Sequence, residues 1–344
     1  MVIEGNNMGN YDDLLTEEVK DYAKEIGAAL VGIAGADILN ESLDEYFRPE
    51  DVLPGCKSLV VMSLHIPDGA LEIMRRGKAA YSYNLFGYAY LNRELDYIIY
   101  RMSCFLEERG YATTPIPARG TAYGAPKKGY GMISFRHTAV AAGLASFGLS
   151  GIALTKEFGS RQRFAAVPTT APLHPAEKLI DQAEVCDGCL ECISHCPAGA
   201  LSLNPPHECR MGDKVFRFAR SYYDKCIHAS RGLSTKAWPG AAFNPKIDVP
   251  YSENPSAGKL YDQLWRERDE GIRLSENSEA TYGATLCGRC MAFCSAGHEA
   301  MKRRLRDDQK ETGHTDNLVI QNDGSLKPLQ PEPKALGKKL LGLS

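Results

Sequence analysis

Apolar positions recur along this chain with two periods, and the changes of period mark out its elements. Val19, Tyr22, Ala23 and Ile26 fall at helical spacing, which predicts an opening helix over residues 16–27 with Thr16 as N-cap and Gly27 as stop. A short apolar run at 29–34 and a second at 58–64, after the turn at Pro54-Gly55, read as strands of a buried sheet. Leu91, Leu95, Ile98, Ile99, Met102 and Phe105 recur mostly at intervals of three and four, so a long helix is expected over 90–109, crossing over before the next strand. Helices alternating with buried strands argue an α/β layered fold. Residues 139–151 are rich in alanine and glycine and read as a helix of small residues broken at glycine. Gly143, Gly148 and Gly151 lack the spacing of a dinucleotide fingerprint. Small residues there let a large flat group, or another backbone, come close.

Beyond this half the pattern gives way to cysteines. Cys186, Cys189, Cys192 and Cys196, followed by Pro197, spell C-x2-C-x2-C-x3-C-P. Bacterial ferredoxins use that run to hold [4Fe-4S] clusters, and in two-cluster proteins its fourth cysteine ligates the other cluster. A second group is therefore required, and Cys287, Cys290 and Cys294 supply C-x2-C-x3-C. The crossed arrangement assigns Cys186, Cys189, Cys192 and Cys294 to one cluster, and Cys196, Cys287 and Cys290 to the other. Cys226 is the choice for the missing ligand and Cys209 the reserve, because spacing does not decide between them. A structural zinc site or a disulfide framework leaves the C-x2-C-x2-C-x3-C-P run unexplained. Cys56 and Cys104 are assigned no role, and Cys104 reads as a packed side chain of the long helix.

A chain of 344 residues has room for about two domains. Its net charge of −3 shows no global basic excess, which weighs against a general nucleic-acid binder. Residues 1–13 are polar and acidic, without the features of an export leader, so the chain reads as cytoplasmic. No stretch approaches the ~18 consecutive apolar residues that span a bilayer. In a reducing compartment eleven cysteines suit metal ligation better than disulfides.

Residues 135–173 carry a family resemblance. Ala-Gly-Leu at 142–144, Gly-Leu-Ser-Gly at 148–151 and Phe-Gly-Ser-Arg at 158–161 precede the cysteine run, and the segment resembles its counterpart in reductive dehalogenases and epoxyqueuosine reductase. Residues 24–36 and 53–61 are similar to the opening of the same domain, so the resemblance covers roughly 15–300. It implies membership of the cobalamin-dependent reductase superfamily. The implied fold class is α/β (α+β): a nitroreductase-like domain over 1–175 that holds base-off cobalamin, then a ferredoxin-like module with two [4Fe-4S] clusters over 176–300, an insert at 227–286 and a charged tail at 301–344. The implied chemistry is reductive cleavage of a small organic substrate, with reduced ferredoxin or flavodoxin as electron donor and the protein supplying a proton.

The chain departs from the epoxyqueuosine enzymes where they carry an Asp-Thr/Ser-Ala-Pro element with the aspartate as proton donor; residues 127–134 read Lys-Lys-Gly-Tyr-Gly-Met-Ile-Ser instead. Tyr130, with Tyr123 second, is the expected donor, its phenolate stabilised by Lys127, Lys128 or Arg136. The resemblance places His137, Gly143, Gly148, Gly159, Ser160 and Arg161 against the cofactor. Each has a plain alternative: His137 as a structural histidine, the arginines as solvated members of a surface turn. Cys294 is followed by Ser295 rather than proline, which leaves ligation intact. No Asp-x-His-x-x-Gly series offers a histidine to cobalt. Trp238, Tyr251 and Trp265 of the insert are expected to line a substrate entry. No basic helical-repeat domain follows Cys294, so tRNA modification ranks second, and a non-catalytic electron-transfer or corrinoid-reducing protein third.

Overall fold

The computed structural model describes residues 11–75, 81–118, 131–230, 287–297, 318–320, 326–328 and 334–343. The chain runs through α1 (Asp13–Glu25), β1 (Leu30–Gly35), α2 (Ala36–Ser42), α3 (Pro49–Val52), β2 (Ser58–His65), α4 (Asp68–Arg75), α5 (Tyr81–Asn84), a π-helical turn (Leu85–Ala89) and α6 (Tyr90–Glu107). It continues through α7 (Phe135–Ala141), β3 (Ser146–Phe147), β4 (Ala153–Leu154), β5 (Gln162–Thr169), α8 (Gln182–Val185) and α9 (Glu191–Ser194). The remaining described elements are β6 (Leu201–Met211), β7 (Lys214–Ser221), α10 (Tyr223–Ser230), α11 (Arg289–Ala292), β8 (Leu318–Ile320), β9 (Leu326–Pro328) and α12 (Lys334–Leu340).

A three-stranded sheet in the order β1-β2-β5 forms the centre. Its register places Val60 of β2 opposite Ile33 on one side and Val167 on the other. Side chains alternate across a strand, so β2 feeds two cores at once. Leu59 and Val61 join Ala34, Phe164 and Ala166 under α7 and the β6–β7 hairpin, whereas Val60 and Met62 join Ile33, Ala165 and Val167 under α1 and α6. None of the four is exposed. A strand covered on both faces reads as a continuous apolar run, which is what made 58–64 visible in the sequence.

Three local expectations change. The N-cap of α1 is Asp12, whose carboxylate accepts the Leu15 N–H at 2.9 Å, while the Thr16 hydroxyl donates to the Asp12 carbonyl at 2.6 Å. Aspartate and threonine are both good caps, and burial of Leu15 and Thr16 moves the start of the helix one turn earlier. All pairs of the central sheet are antiparallel, so α6 is not the crossover of a parallel βαβ unit. An apolar run reports burial on both faces and carries no information about strand direction. The small-residue segment is helical only to Ala141; the chain then turns and closes the short β3–β4 hairpin.

The β6–β7 hairpin pairs Cys209 with Phe216 and His207 with Phe218, and it covers the α7 side of the sheet. Residues 334–343, which the sequence placed in a charged tail, include α12. Leu336, Leu340 and Leu341 pack on the cluster of Leu149, Leu190, Ile193, Leu203 and Ala219, because the leucines fall on one face while Lys338 and Lys339 are exposed. Gly337 lies so close to Gly188 that a Cβ on Gly188 would sit 2.8 Å from the Gly337 carbonyl carbon. Among the described residues no helix is long and apolar enough to cross a membrane.

Candidate metal centre

The cysteines sit on two short segments built alike. Leu190, with φ of 64°, is the N-cap of α9, and Gly288, with φ of 60°, is the N-cap of α11. Counting from these caps, Cys192 matches Cys290, His195 matches Phe293 and Cys196 matches Cys294. The His195 and Phe293 rings stack on each other, 3.7 Å between centroids and 15° from parallel. Two equivalent residues in face-to-face contact give the pair of segments an approximate twofold relation.

The thiols separate accordingly. Cys192 interacts electrostatically with Cys294, Cys186 and Cys189, and only then with Cys290. Cys290 interacts with Cys287, Cys226 and Cys196 before Cys294. A pocket is lined by Cys186, Cys189, Cys192 and Cys294 together with Gly148, Leu149 and Ser295. Cys226, on α10, lies with Cys196, Cys287 and Cys290. Cys209 lies apart: it is buried in the sheet-side core, and desolvation alone raises its thiol to about 11. Burial likewise pushes Cys186 to about 11 and Cys287 to about 12, and raises Cys192 and Cys290 well above the ordinary thiol value. Such thiols are protonated when bare, and an iron centre reverses this by binding the thiolate. Among the described residues no three His, Cys, Asp or Glu side chains are grouped to hold a single metal ion. Four thiolates around a cubane stand further apart than four around one ion.

Backbone atoms support the same region. The Cys189 N–H donates to Asp187 Oδ1 at 3.1 Å, and the Ala200 N–H donates to Cys196 Sγ at 3.2 Å. Arg289, buried beside Cys287 and Cys196, donates from Nε to the His195 carbonyl at 3.1 Å and thereby ties the two segments together. Tyr83 is buried against Gly288, with its hydroxyl 3.7 Å from Met291 Sδ.

The residues expected at a corrinoid have other partners here. Gly159, at φ +58°, packs on the backbone that follows Cys294: a Cβ there would overlap the Ala296 carbonyl. Ser160 donates to the Met291 carbonyl at 3.0 Å. Arg161 is fully buried and donates to the Cys294 carbonyl at 3.4 Å, so it is not a solvated arginine of a surface turn. Gly143 faces Ala176, where a Cβ would lie 2.9 Å from the alanine methyl. It is another part of the chain, rather than a flat ligand, that comes close there. Arg136 donates to the Gly151 carbonyl at 2.8 Å. His137 bonds through Nδ1 to the Ser134 hydroxyl at 2.6 Å and packs edge-on against Phe147; burial, then Arg136 and His207, lower it to about 4. Tyr123, Lys127, Lys128 and Tyr130, with Trp238, Tyr251 and Trp265, lie outside the described residues.

The sequence reading did not single out Asp68, Glu72, Tyr83, Arg289, His195 or Phe293. For the last two a signal existed, since Cys189, Cys192 and Cys196 repeat as Cys287, Cys290 and Cys294, which sets His195 and Phe293 in register.

No family model matches the chain. Over 244 residues it is 30% identical to a tetrachloroethene reductive dehalogenase of Desulfitobacterium hafniense, a match covering 70% of this chain and 33% of the relative. Over 218 residues it is 27% identical to the epoxyqueuosine reductase of Bacillus subtilis (strain 168), covering 56% of this chain and 52% of the relative. The chain is a relative of both reductase families. It spans about a third of the length of the dehalogenase and half that of the epoxyqueuosine reductase. Its mixed α/β fold is shared with a catabolic reductive dehalogenase of known structure, at a TM-score of 0.50 and 15% identity, over 99% of this chain and 44% of that one.

Proposed function

We propose that the protein is a cytoplasmic oxidoreductase in which two [4Fe-4S] clusters deliver electrons for reductive cleavage of a small organic substrate, in the manner of a reductive dehalogenase. The observation that carries the reading is the pocket in which Cys186, Cys189 and Cys192 of one segment meet Cys294 of another. This donor set fits a cluster: four half-buried thiols from the two halves of a crossed motif. Cys196, Cys226, Cys287 and Cys290 form the second set, and Cys226 is preferred to Cys209 because it alone neighbours the other three. Cys192 and Cys290 are neighbours across the two sets, and electrons would pass between the clusters on that side. The domains follow as a nitroreductase-like layer over 1–175 and a ferredoxin-like module over 176–300.

Kinship to the two families supports base-off cobalamin as the further cofactor. When bound, it would supply low-potential cobalt chemistry at the substrate carbon. Each described residue assigned to it is engaged within the protein: Gly143, Gly148 and Gly159 close on neighbouring parts of the chain, and Arg136, His137, Ser160 and Arg161 are hydrogen-bonded there. Tyr130, with Tyr123 second, would supply the proton, and Lys128 or Arg136 would stabilise the phenolate left behind. Reduced ferredoxin or flavodoxin is the donor. Reduction of epoxyqueuosine in tRNA is the second reading, favoured by the 27% identity to that enzyme over half its length.

Anaerobic reconstitution with iron, sulfide and hydroxocobalamin tests the proposal. About eight irons per chain are expected from two four-iron clusters, together with one cobalt. Eight irons without cobalt would discard the corrinoid part and leave an electron carrier. Fewer than four irons would overturn the cluster assignment. Turnover of an organohalide panel against tight binding of a tRNA stem loop then separates the two readings.

A further inference from the structure

We infer that Arg161 sets the reduction potential of the cluster that Cys294 completes, by placing a buried positive charge beside that ligand and holding its backbone. The inference rests on the cluster assignment above and assigns Arg161 to the iron–sulfur centre rather than to a corrinoid tail. Three strands of geometry converge on this side chain. Its exposure is 0%, and one terminal nitrogen donates to the Cys294 carbonyl at 3.4 Å. Nε lies 3.5 Å from Asp68 Oδ1, and the other terminal nitrogen lies 3.4 Å from Glu72 Oε1. Both carboxylates come from α4, and Glu72 also accepts from Arg75 at 3.1 Å.

A carbonyl anchor does not require a charge. One residue earlier, Ser160 holds the Met291 carbonyl with a hydroxyl at 3.0 Å, and Gly159 closes against Ala296 with no side chain. Residues 159–161 thus pin the 291–296 segment three times, and only Arg161 does so with a charge. Burying such a group without compensation is costly, and the two α4 carboxylates supply the compensation. In that low-dielectric setting a charge acts on its neighbours far more strongly than in water. Reducing the cluster adds one electron from a low-potential one-electron donor, with no bond broken and no proton required. The product is the more negative form, which Arg161 stabilises and Asp68 and Glu72 oppose. Charge near a cluster is among the factors that set its potential.

The test is a potentiometric titration of the reconstituted full-length protein with dithionite, followed by EPR of the reduced clusters, alongside iron analysis. In Arg161→Gln the reduced-to-oxidised ratio of one cluster should fall at least tenfold at a fixed potential, a shift of ~59 mV to the negative for a one-electron couple. Glu72→Gln should move the same cluster in the positive direction, and Arg161→Lys should stay nearer the parent than Arg161→Gln. Should Arg161→Gln lose its cluster, Glu72→Gln and Arg161→Lys carry the test. Charge variants that keep their iron and titrate with the parent would overturn the inference. Parent protein without cluster iron would overturn the assignment beneath it as well, and the two failures are told apart by the iron content.

Discussion

Strand β2 and helix α9 illustrate how differently the two halves of the molecule are held. Six of the eight residues of β2 are buried, and apolar neighbours cover both of its faces. Helix α9 is a single turn that buries one apolar side chain, Ile193, against Leu149, Leu190, Leu203 and Ala219, with Cys192 within it and Cys196 just beyond its end. The first region meets the entropy of ordering with hydrophobic area. In the second, the short helices that carry the cysteines each bury a single apolar residue, Ile193 and Ala292, so its order should depend also on what the thiols bind. In structural metal sites of this kind binding energy is folding energy.

That comparison is most sharply broken at the ligands. Cys294→Ser and Cys192→Ser should each remove one cluster, lowering iron from about eight to about four per chain, whereas Cys209→Ser should retain the full complement by iron analysis. Chelation of the iron should unfold the cysteine half while far-UV circular dichroism of the sheet half persists. In the sheet half the largest effect should come from the core. Phe147, 0% exposed and packed on Phe216, Phe218 and His137, should cost ~3–5 kcal/mol as Phe147→Ala in urea unfolding, with iron content unchanged.

At the seam between the halves, Gly159→Ala combines a left-handed backbone with a clash at the Ala296 carbonyl. A loss of roughly 1–3 kcal/mol is expected for such strain, together with faster iron loss to a chelator. An iron-release rate equal to that of the parent would remove Gly159 from the seam. The smallest effect is a pH dependence. His137 titrates at about 4 in the fold against 6.5 in the unfolded chain, so between those values the unfolded state binds more protons. Stability should therefore fall as pH drops from about 6.5 towards 4 and be flat above. His137→Gln should flatten that slope in thermal melts, and an unchanged slope would assign it to other groups.

Legibility followed the same division. The strands at 58–64 and the helix at 90–109 were visible because burial leaves a periodic trace, and their observed bounds differ by at most two residues at either end. The β6–β7 hairpin left no such trace. In β6 the buried positions Leu203, Cys209 and Met211 are separated by exposed or half-buried residues, and only pairing with β7 reveals the alternation. The cysteine sets could be written down from spacing up to the alternatives Cys226 and Cys209, and only the fold shows that Cys226 neighbours Cys196, Cys287 and Cys290. Residues 158–161 were recognisable as a motif, but their packing on the 291–296 segment was not, because a motif shows that a segment is constrained and not what constrains it.

The sequence by itself determined the covered sheet, the long helix and the spacing of seven candidate cluster cysteines, since burial period and ligand spacing are local properties of a chain. Tertiary structure alone decided the antiparallel order of the strands, the docking of α12 over the first cysteine loop, the stack of His195 on Phe293 and the meeting of Arg161 with Cys294. Each of these joins residues far apart in sequence. Such contacts form only when folding brings two surfaces together, and their energies belong to the pair rather than to either segment.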